Sequence, residues 1–303
     1  MILLQQMLIL FFYMMIGYWA KKKGFLGEEA GPTISWIVVN IANPAMIISS
    51  VINGESAITG GELIHTAFLA CVSFAVLIIL AEILPRLFGT NGKQRSAYKI
   101  MTVFNNIGFM GFPVISAAYW EEALLYAAIF VLPYNILFYT YGIAVIRSGG
   151  EKKKVELKQI LNIGSVASIF AVVLYVAQIP MHEMIKTATG SLSGLTSSLS
   201  MFVIGISLSS MKIRELFTDK KLLGYTAIKL LIIPVIGTVA ASNFIHNQML
   251  LNVFMIMLAT PAGAMTAMLA QEYDGDYALA SKAVALTTVL SVITIPMVSA
   301  VVF

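Results

Sequence analysis

The chain alternates long apolar runs with short polar connections, and the runs approach the ~20 residues that a helix needs to cross hydrocarbon. Ten such runs are predicted, at roughly 3–20, 33–52, 63–84, 97–118, 123–146, 159–179, 187–210, 222–243, 248–270 and 278–302. The expected fold is an all-α integral membrane protein of ten transmembrane helices.

Two of the runs are interrupted. The fourth contains Asn106-Ile-Gly-Phe-Met-Gly-Phe-Pro113, in which Gly108, Gly111 and Pro113 weaken the helix ladder and Asn106 adds a polar side chain. Broken backbone within a bilayer is tolerated only where it faces protein, water or a ligand. The ninth run carries Thr260-Pro261-Ala262-Gly263 at the corresponding place. Matched interruptions in two halves of a chain are the best sequence pointer to a transporter's substrate site. Pro44, Pro133, Pro234 and Pro296 also fall within spans, where proline is common and less telling.

Composition agrees with a bilayer, at 59% hydrophobic and 11% charged residues. The first run lacks a basic leader and a small-residue cleavage site and is followed by Lys21, Lys22 and Lys23, so it is expected to anchor the chain rather than act as a signal peptide. Of the 19 Lys and Arg residues, all but Lys186 and Lys229 fall in alternate connections. The positive-inside rule makes those connections cytoplasmic and turns both termini outward, in a multi-pass protein of the cell membrane. The net charge of +4 is spread over these short loops and forms no continuous basic face for nucleic acid. Cys71 is the single cysteine and cannot make an internal disulfide.

The most basic connection, Arg147 to Lys158, divides the chain into residues 1–150 and 151–303, each with five spans. Because five is odd, a shared fold requires the second half to be inverted relative to the first. The expected architecture is therefore two inverted five-helix repeats, with helices 4 and 9 broken.

Several residues carry the candidate chemistry. Asn106, with Asn105 beside it, can hydrogen-bond a carboxylate or support the broken backbone, and half-helix amino termini nearby favour an anion. Gly108 and Gly111 also suit close helix packing. Asn43 and Pro44 can open the second span; they read equally as a site wall or a structural kink. Lys229 lies within the eighth span, ~10 Å beyond Leu222 at helical rise. A charge there is costly and suggests function, as an attractor of anions or as a fixed cation that replaces a coupling ion; the rival reading is snorkelling to the headgroups. Glu82 suits an ion pair with Arg86 and is otherwise the candidate carrier of a coupling proton. Ser191, Ser193, Gly194, Thr196, Ser197, Ser198 and Ser200 give the seventh span a small polar face fit for a cavity wall or for close packing. His65, His182 and His246 sit near span ends without metal-ligand spacing.

The order and spacing of these motifs resemble the auxin efflux carrier family over nearly the whole chain. The resemblance rests on Asn106-x-x-x-Met-Gly-x-Pro113, on Asn43-Pro44 with the following Ile-Ile-Ser-Ser, and on Pro261-x-Gly263 followed by Ala270-Gln-Glu-Tyr273. Met201-Phe-Val-Ile-Gly205 and Lys229-Leu-Leu-Ile-Ile-Pro234 extend it. It implies that the fourth and ninth helices cross near the membrane middle, with scaffold and transport bundles each assembled from both repeats. It further implies movement of organic anions, auxin in plant members and small carboxylates such as malate or malonate in bacterial ones. The short central loop points to a bacterial type.

Function is thus expected to be secondary transport by alternating access. The substrate site would comprise Asn43, Pro44, Asn105, Asn106, Gly108, Gly111, Pro113, Lys229, Thr260, Pro261 and Gly263, with no metal and no cofactor. Expected partners are a small organic anion and the lipid bilayer; a homodimer is compatible with this reading. Alternatives are a sodium- or proton-coupled carrier of a related inverted-repeat family, a channel, or an intramembrane enzyme. No G-x-x-x-x-G-K-[ST] loop supports pumping, and Gly190-Ser-Leu-Ser-Gly194 does not match a serine nucleophile elbow, so the protein is not expected to be an enzyme.

Overall fold

The structure, a computed structural model, describes residues 2–53, 60–119, 123–147, 162–211 and 216–303. The central basic connection with Lys152, Lys153, Lys154 and Lys158, the boundary between the two expected halves, and Lys212 and Arg214 lie outside the described residues.

The described residues form twelve helical segments: α1 (Ile2–Lys22), α2 (Ala30–Ile52), α3 (Gly60–Leu87), α4 (Gly92–Val103), α5 (Ile107–Tyr119), α6 (Leu124–Ile146), α7 (Ile163–Ala177), α8 (Glu183–Ser209), α9 (Lys220–Ser242), α10 (Gln248–Ala259), α11 (Ala264–Glu272) and α12 (Tyr277–Val302). Seven of them, α1, α2, α3, α6, α8, α9 and α12, are long and apolar enough to cross a membrane; α5, α7 and α10 are shorter apolar helices. Large apolar side chains such as Phe12, Phe68, Ile79, Ile236 and Val301 point outward, as a lipid-facing surface requires.

Polar residues start several helices. Asn162, Asp219, Asn247 and Asp276 each accept a backbone N–H from the first turn that follows, satisfying donors that a helix end would otherwise leave unpaired. Proline and wide turns then shape the interiors. A π-helical turn at Val38–Ala42 precedes Pro44 in α2, and another at Ile228–Ile232 precedes Pro234 in α9. A wider turn accommodates the missing proline N–H, and such turns recur at functional positions.

Packing is closest where glycines remove side chains. A Cβ on Gly17 would lie 2.2 Å from the Phe202 carbonyl oxygen, and one on Gly205 would lie 1.9 Å from that of Met14. α1 and α8 therefore meet backbone to backbone, as small residues permit between helices in a membrane. α2 runs antiparallel along α8: the Asn53 side chain donates to the Lys186 carbonyl at 3.1 Å, while Gly31 faces Ile206 at the other end. On the opposite side, α3, α6, α9 and α12 pack around the two interrupted helices, α4–α5 and α10–α11.

Candidate functional site

The two interruptions lie against each other. α4 ends at Val103 and the chain passes in extended form through Phe104, while α10 ends at Ala259 and leaves through Thr260. Asn105 and Ala262 form an isolated antiparallel bridge. The Asn106 N–H donates to the Pro261 carbonyl at 2.8 Å, and the Gly263 N–H donates to the Phe104 carbonyl at 2.9 Å. Each break thus satisfies backbone groups of the other, which is what unwound chain away from water demands. Gly263 has φ −67°, open to any residue, so its identity follows from space: a Cβ would lie 3.1 Å from the Asn105 carbonyl oxygen and 3.2 Å from that of Phe104.

Beyond the breaks, two new helices begin. Asn106 caps α5, its Oδ1 accepting the Phe109 N–H at 3.3 Å. α11 starts after Gly263. The amino ends of α5 and α11 thus converge on the crossing and bring the partial positive charge of both helix dipoles to it. The carboxyl ends of α4 and α10 arrive at the same place with the opposite sign.

Asn105 organises one of these carboxyl ends. Its Nδ2 donates to the Met257 carbonyl at 2.7 Å and more distantly to that of Leu258 at 3.4 Å, both in the last turn of α10. Its Oδ1 accepts from Lys229 Nζ at 2.5 Å. Lys229 is 2% exposed and sits in the π-helical turn of α9, so it turns into the bundle instead of snorkelling to the surface. At the other break the support is neutral: Thr260 Oγ1 donates to the Met257 carbonyl, and Thr287 of α12 accepts the Ala262 N–H at 3.1 Å.

Asn43 approaches the crossing from α2. Its Nδ2 would meet a Cβ on Gly108 at 3.3 Å, so the amide lies against the first turn of α5. The residue is 8% exposed, and its Oδ1 has no hydrogen-bond partner among the described residues. Thr196 Oγ1 and Ser200 Oγ of α8 are buried and likewise unpartnered. The antiparallel register of α2 and α8 brings Thr196 level with Asn43, and α8 also packs on α5. Buried polar atoms without partners are uncommon, and their concentration here is a chemical feature of the region.

Other expected residues stand elsewhere or serve the backbone. Pro44 and Pro113 are buried within α2 and α5. Gly111 has only ordinary contacts, the nearest at 3.7 Å from the position of a Cβ. Glu82 lies at the end of α3 among three cations: it accepts from Lys99 and stands 3.6 Å from Arg86 and 3.8 Å from Arg95. This partly exposed cluster ties α3 to α4, away from the crossing. Asn135, outside the expected set, bonds Ser165 at 2.9 Å and joins α6 to α7. A lateral groove of about 520 Å³ between α3 and α9 is lined by Leu69, Val72, Val76, Ile232, Ile236 and other apolar side chains, and it offers an anion nothing.

A family profile described as "Membrane transport protein" matches residues 2–299, nearly the whole chain. The chain belongs to this family, that of the auxin efflux carriers. It is also 24% identical over 285 residues to an uncharacterized transporter of Methanothermobacter thermautotrophicus, covering 93% of each chain. An uncharacterized transporter of Methanocaldococcus jannaschii is 24% identical over 303 residues, covering 97% of each. With seven helices able to span, this auxin efflux carrier family member is a multi-pass membrane transporter.

Two features of the site escaped the sequence reading. Nothing in the local sequence joins Lys229 to Asn105, which are 124 residues apart. Thr287 is an unremarked hydroxyl in an apolar helix, and no local signal distinguishes it from its neighbour Thr288.

Proposed function

We propose that this transporter is a secondary carrier that moves small organic anions, carboxylates such as malate or malonate, across the cell membrane by alternating access. The observation that carries the reading is the convergence of two half-helix amino ends, α5 and α11, beside the amides of Asn106 and Asn43, the latter with its Nδ2 turned toward the first turn of α5. A carboxylate accepts from backbone N–H groups and amide donors together, and the dipoles favour its charge. Asn106 spends its Oδ1 on capping and keeps its Nδ2 as a donor. Gly108 lets the Asn43 amide lie against the α5 backbone, with Thr196 on the same wall. Thr260, Pro261 and Gly263 shape the opposite side, and Gly111 and Pro113 let α5 leave the crossing.

In this reading the chain has ten spans in two inverted repeats, with α4–α5 and α10–α11 as the broken fourth and ninth spans and both termini outside. Mirrored packing supports it: α1 lies on α8 as α7 lies on α2, and α3 lies on α4 as α9 lies on α10. The mirror is incomplete at the crossing. α5 packs against α1 and α8, whereas α11 has no comparable packing against α7 and α2. With the basic connections cytoplasmic, that difference corresponds to a carrier closed outside and open toward the cytoplasm. Exchanging these contacts is the alternating-access step.

The test is flux of labelled mono- and dicarboxylates into liposomes holding the purified protein, with voltage, sodium and proton gradients varied separately. Saturable flux of an anion, reduced at least about 10-fold by Asn106→Ala in folded protein, is expected from loss of a charge-assisted hydrogen bond. Absence of carboxylate flux under every gradient would remove this substrate class, and full flux by Asn106→Ala would remove Asn106 from the site.

A further inference from the structure

Lys229 is the one cation among the described residues that lies buried inside a spanning helix, and the anion site does not by itself explain where its ammonium points. Its Nζ donates to Asn105 Oδ1, and the same amide donates from Nδ2 to the carbonyls of Met257 and Leu258. These carbonyls end α10, where the helix dipole is negative and no further turn supplies N–H donors. The chain Lys229, Asn105, α10 therefore runs from a positive charge through an oriented amide to the negative end of a half-helix. Each link has its donor and acceptor facing the right way. The backbone on either side of Asn105 is also what pairs with Pro261 and Gly263 across the crossing.

We infer that Lys229 is a positioning residue: its ammonium fixes the orientation of Asn105 and thereby holds the two broken helices in register, without itself contacting the transported anion. The geometry supports this over direct binding, because the Asn105 side chain and the carboxyl end of α10 receive the charge. The two carbonyl acceptors orient the amide through Nδ2 alone; turned over, it would set Oδ1 against those carbonyls and Nδ2 against the ammonium, donor against donor. A cationic N–H donor at Oδ1 removes that alternative. The buried charge is offset by the amide dipole and the helix end, which replace part of the hydration it has lost. The inference rests on the crossing being the transport site only for its flux readout; its thermal readout is independent of any substrate.

The experiment compares wild type, Lys229→Ala and Lys229→Arg, purified and reconstituted, with methylammonium and tetramethylammonium as probes. Methylammonium can donate N–H to Asn105 in the space left by the four deleted side-chain atoms; tetramethylammonium carries the same charge without a donor. In detergent, saturating methylammonium is expected to raise the melting temperature of Lys229→Ala by about 5 °C, with no such shift in wild type and none from tetramethylammonium. In liposomes, Lys229→Ala is expected to lose at least about 10-fold in maximal rate for every carried anion with little change in KM, with rate regained in methylammonium. Lys229→Arg, which keeps a cationic donor, is expected to retain more of the rate. Absence of the methylammonium-specific thermal shift overturns the inference whether or not any tested anion is carried. A raised KM at unchanged maximal rate overturns it as well, since that marks a direct contact with the anion.

Discussion

The two breaks have the same backbone pairing and different chemistry. At the first, side chains satisfy the interrupted helix ends: Asn106 caps α5, and Asn105 caps α10 while holding Lys229. At the second, the work falls to shape and to neutral hydroxyls: Gly263 permits close approach, Thr260 bonds back to Met257, and Thr287 receives the Ala262 N–H. A near-symmetric crossing of chains therefore carries a one-sided distribution of amide and charge. Backbone exchange alone is enough to build a crossing. The amides and the lysine add polarity beyond that need, which is why the ligand chemistry is assigned to the first break.

Substitutions that separate pairing from chemistry sharpen this contrast. The largest effect is expected from Asn105→Ala, which leaves the Lys229 ammonium without its acceptor and the Met257 carbonyl with only the Thr260 hydroxyl. Leaving a buried ammonium without its acceptor should cost about 3 kcal/mol or more, read as a lower midpoint in thermal or denaturant unfolding. Stability within 0.5 kcal/mol of wild type, about the scatter of surface changes, would break the claim that the first break depends on its side chains. Next is Gly263→Ala, whose methyl would press on two carbonyl oxygens of the partner break. A cost of about 1–3 kcal/mol and a slowed flux are expected, and an unaffected protein would show that shape at the second break is not limiting. The smallest effect belongs to Gly111→Ala, because the added methyl meets only ordinary contacts at 3.7 Å and beyond. Stability should be unchanged or raised by up to about 1 kcal/mol through helix propensity, with flux retained.

Much of the architecture was legible in hydrophobic run lengths, since a bilayer imposes a nearly fixed span. The interruptions at Gly108 to Pro113 and at Pro261 to Gly263 were legible for a related reason: glycine and proline have no easy place inside lipid. What the breaks do to each other was not. The Asn106 to Pro261 and Gly263 to Phe104 bonds involve backbone groups that every residue type carries, so no letter records them. The inward turn of Lys229 was one of two readings with equal sequence support, because a flexible stem can run toward the headgroups or toward a buried acceptor. Tertiary contact with Asn105 decides between them. The π-helical turns that hold Lys229 and precede Asn43 also left no direct mark, although the prolines that follow, Pro234 and Pro44, were visible. Thr196 and Ser200 were legible as a small polar face, and the packing against α2 and α5 is what turns that face toward Asn43 and the crossing.

The most direct test of the account is equilibrium binding of a carried anion to purified protein, titrated in parallel onto wild type, Asn106→Ala and Gly111→Ala. The account predicts at least about 10-fold weaker binding by Asn106→Ala, with Gly111→Ala close to wild type, since only the first change removes a donor from the anion's position. Equal affinity in all three would place the anion elsewhere and contradict the assignment of the crossing as its site.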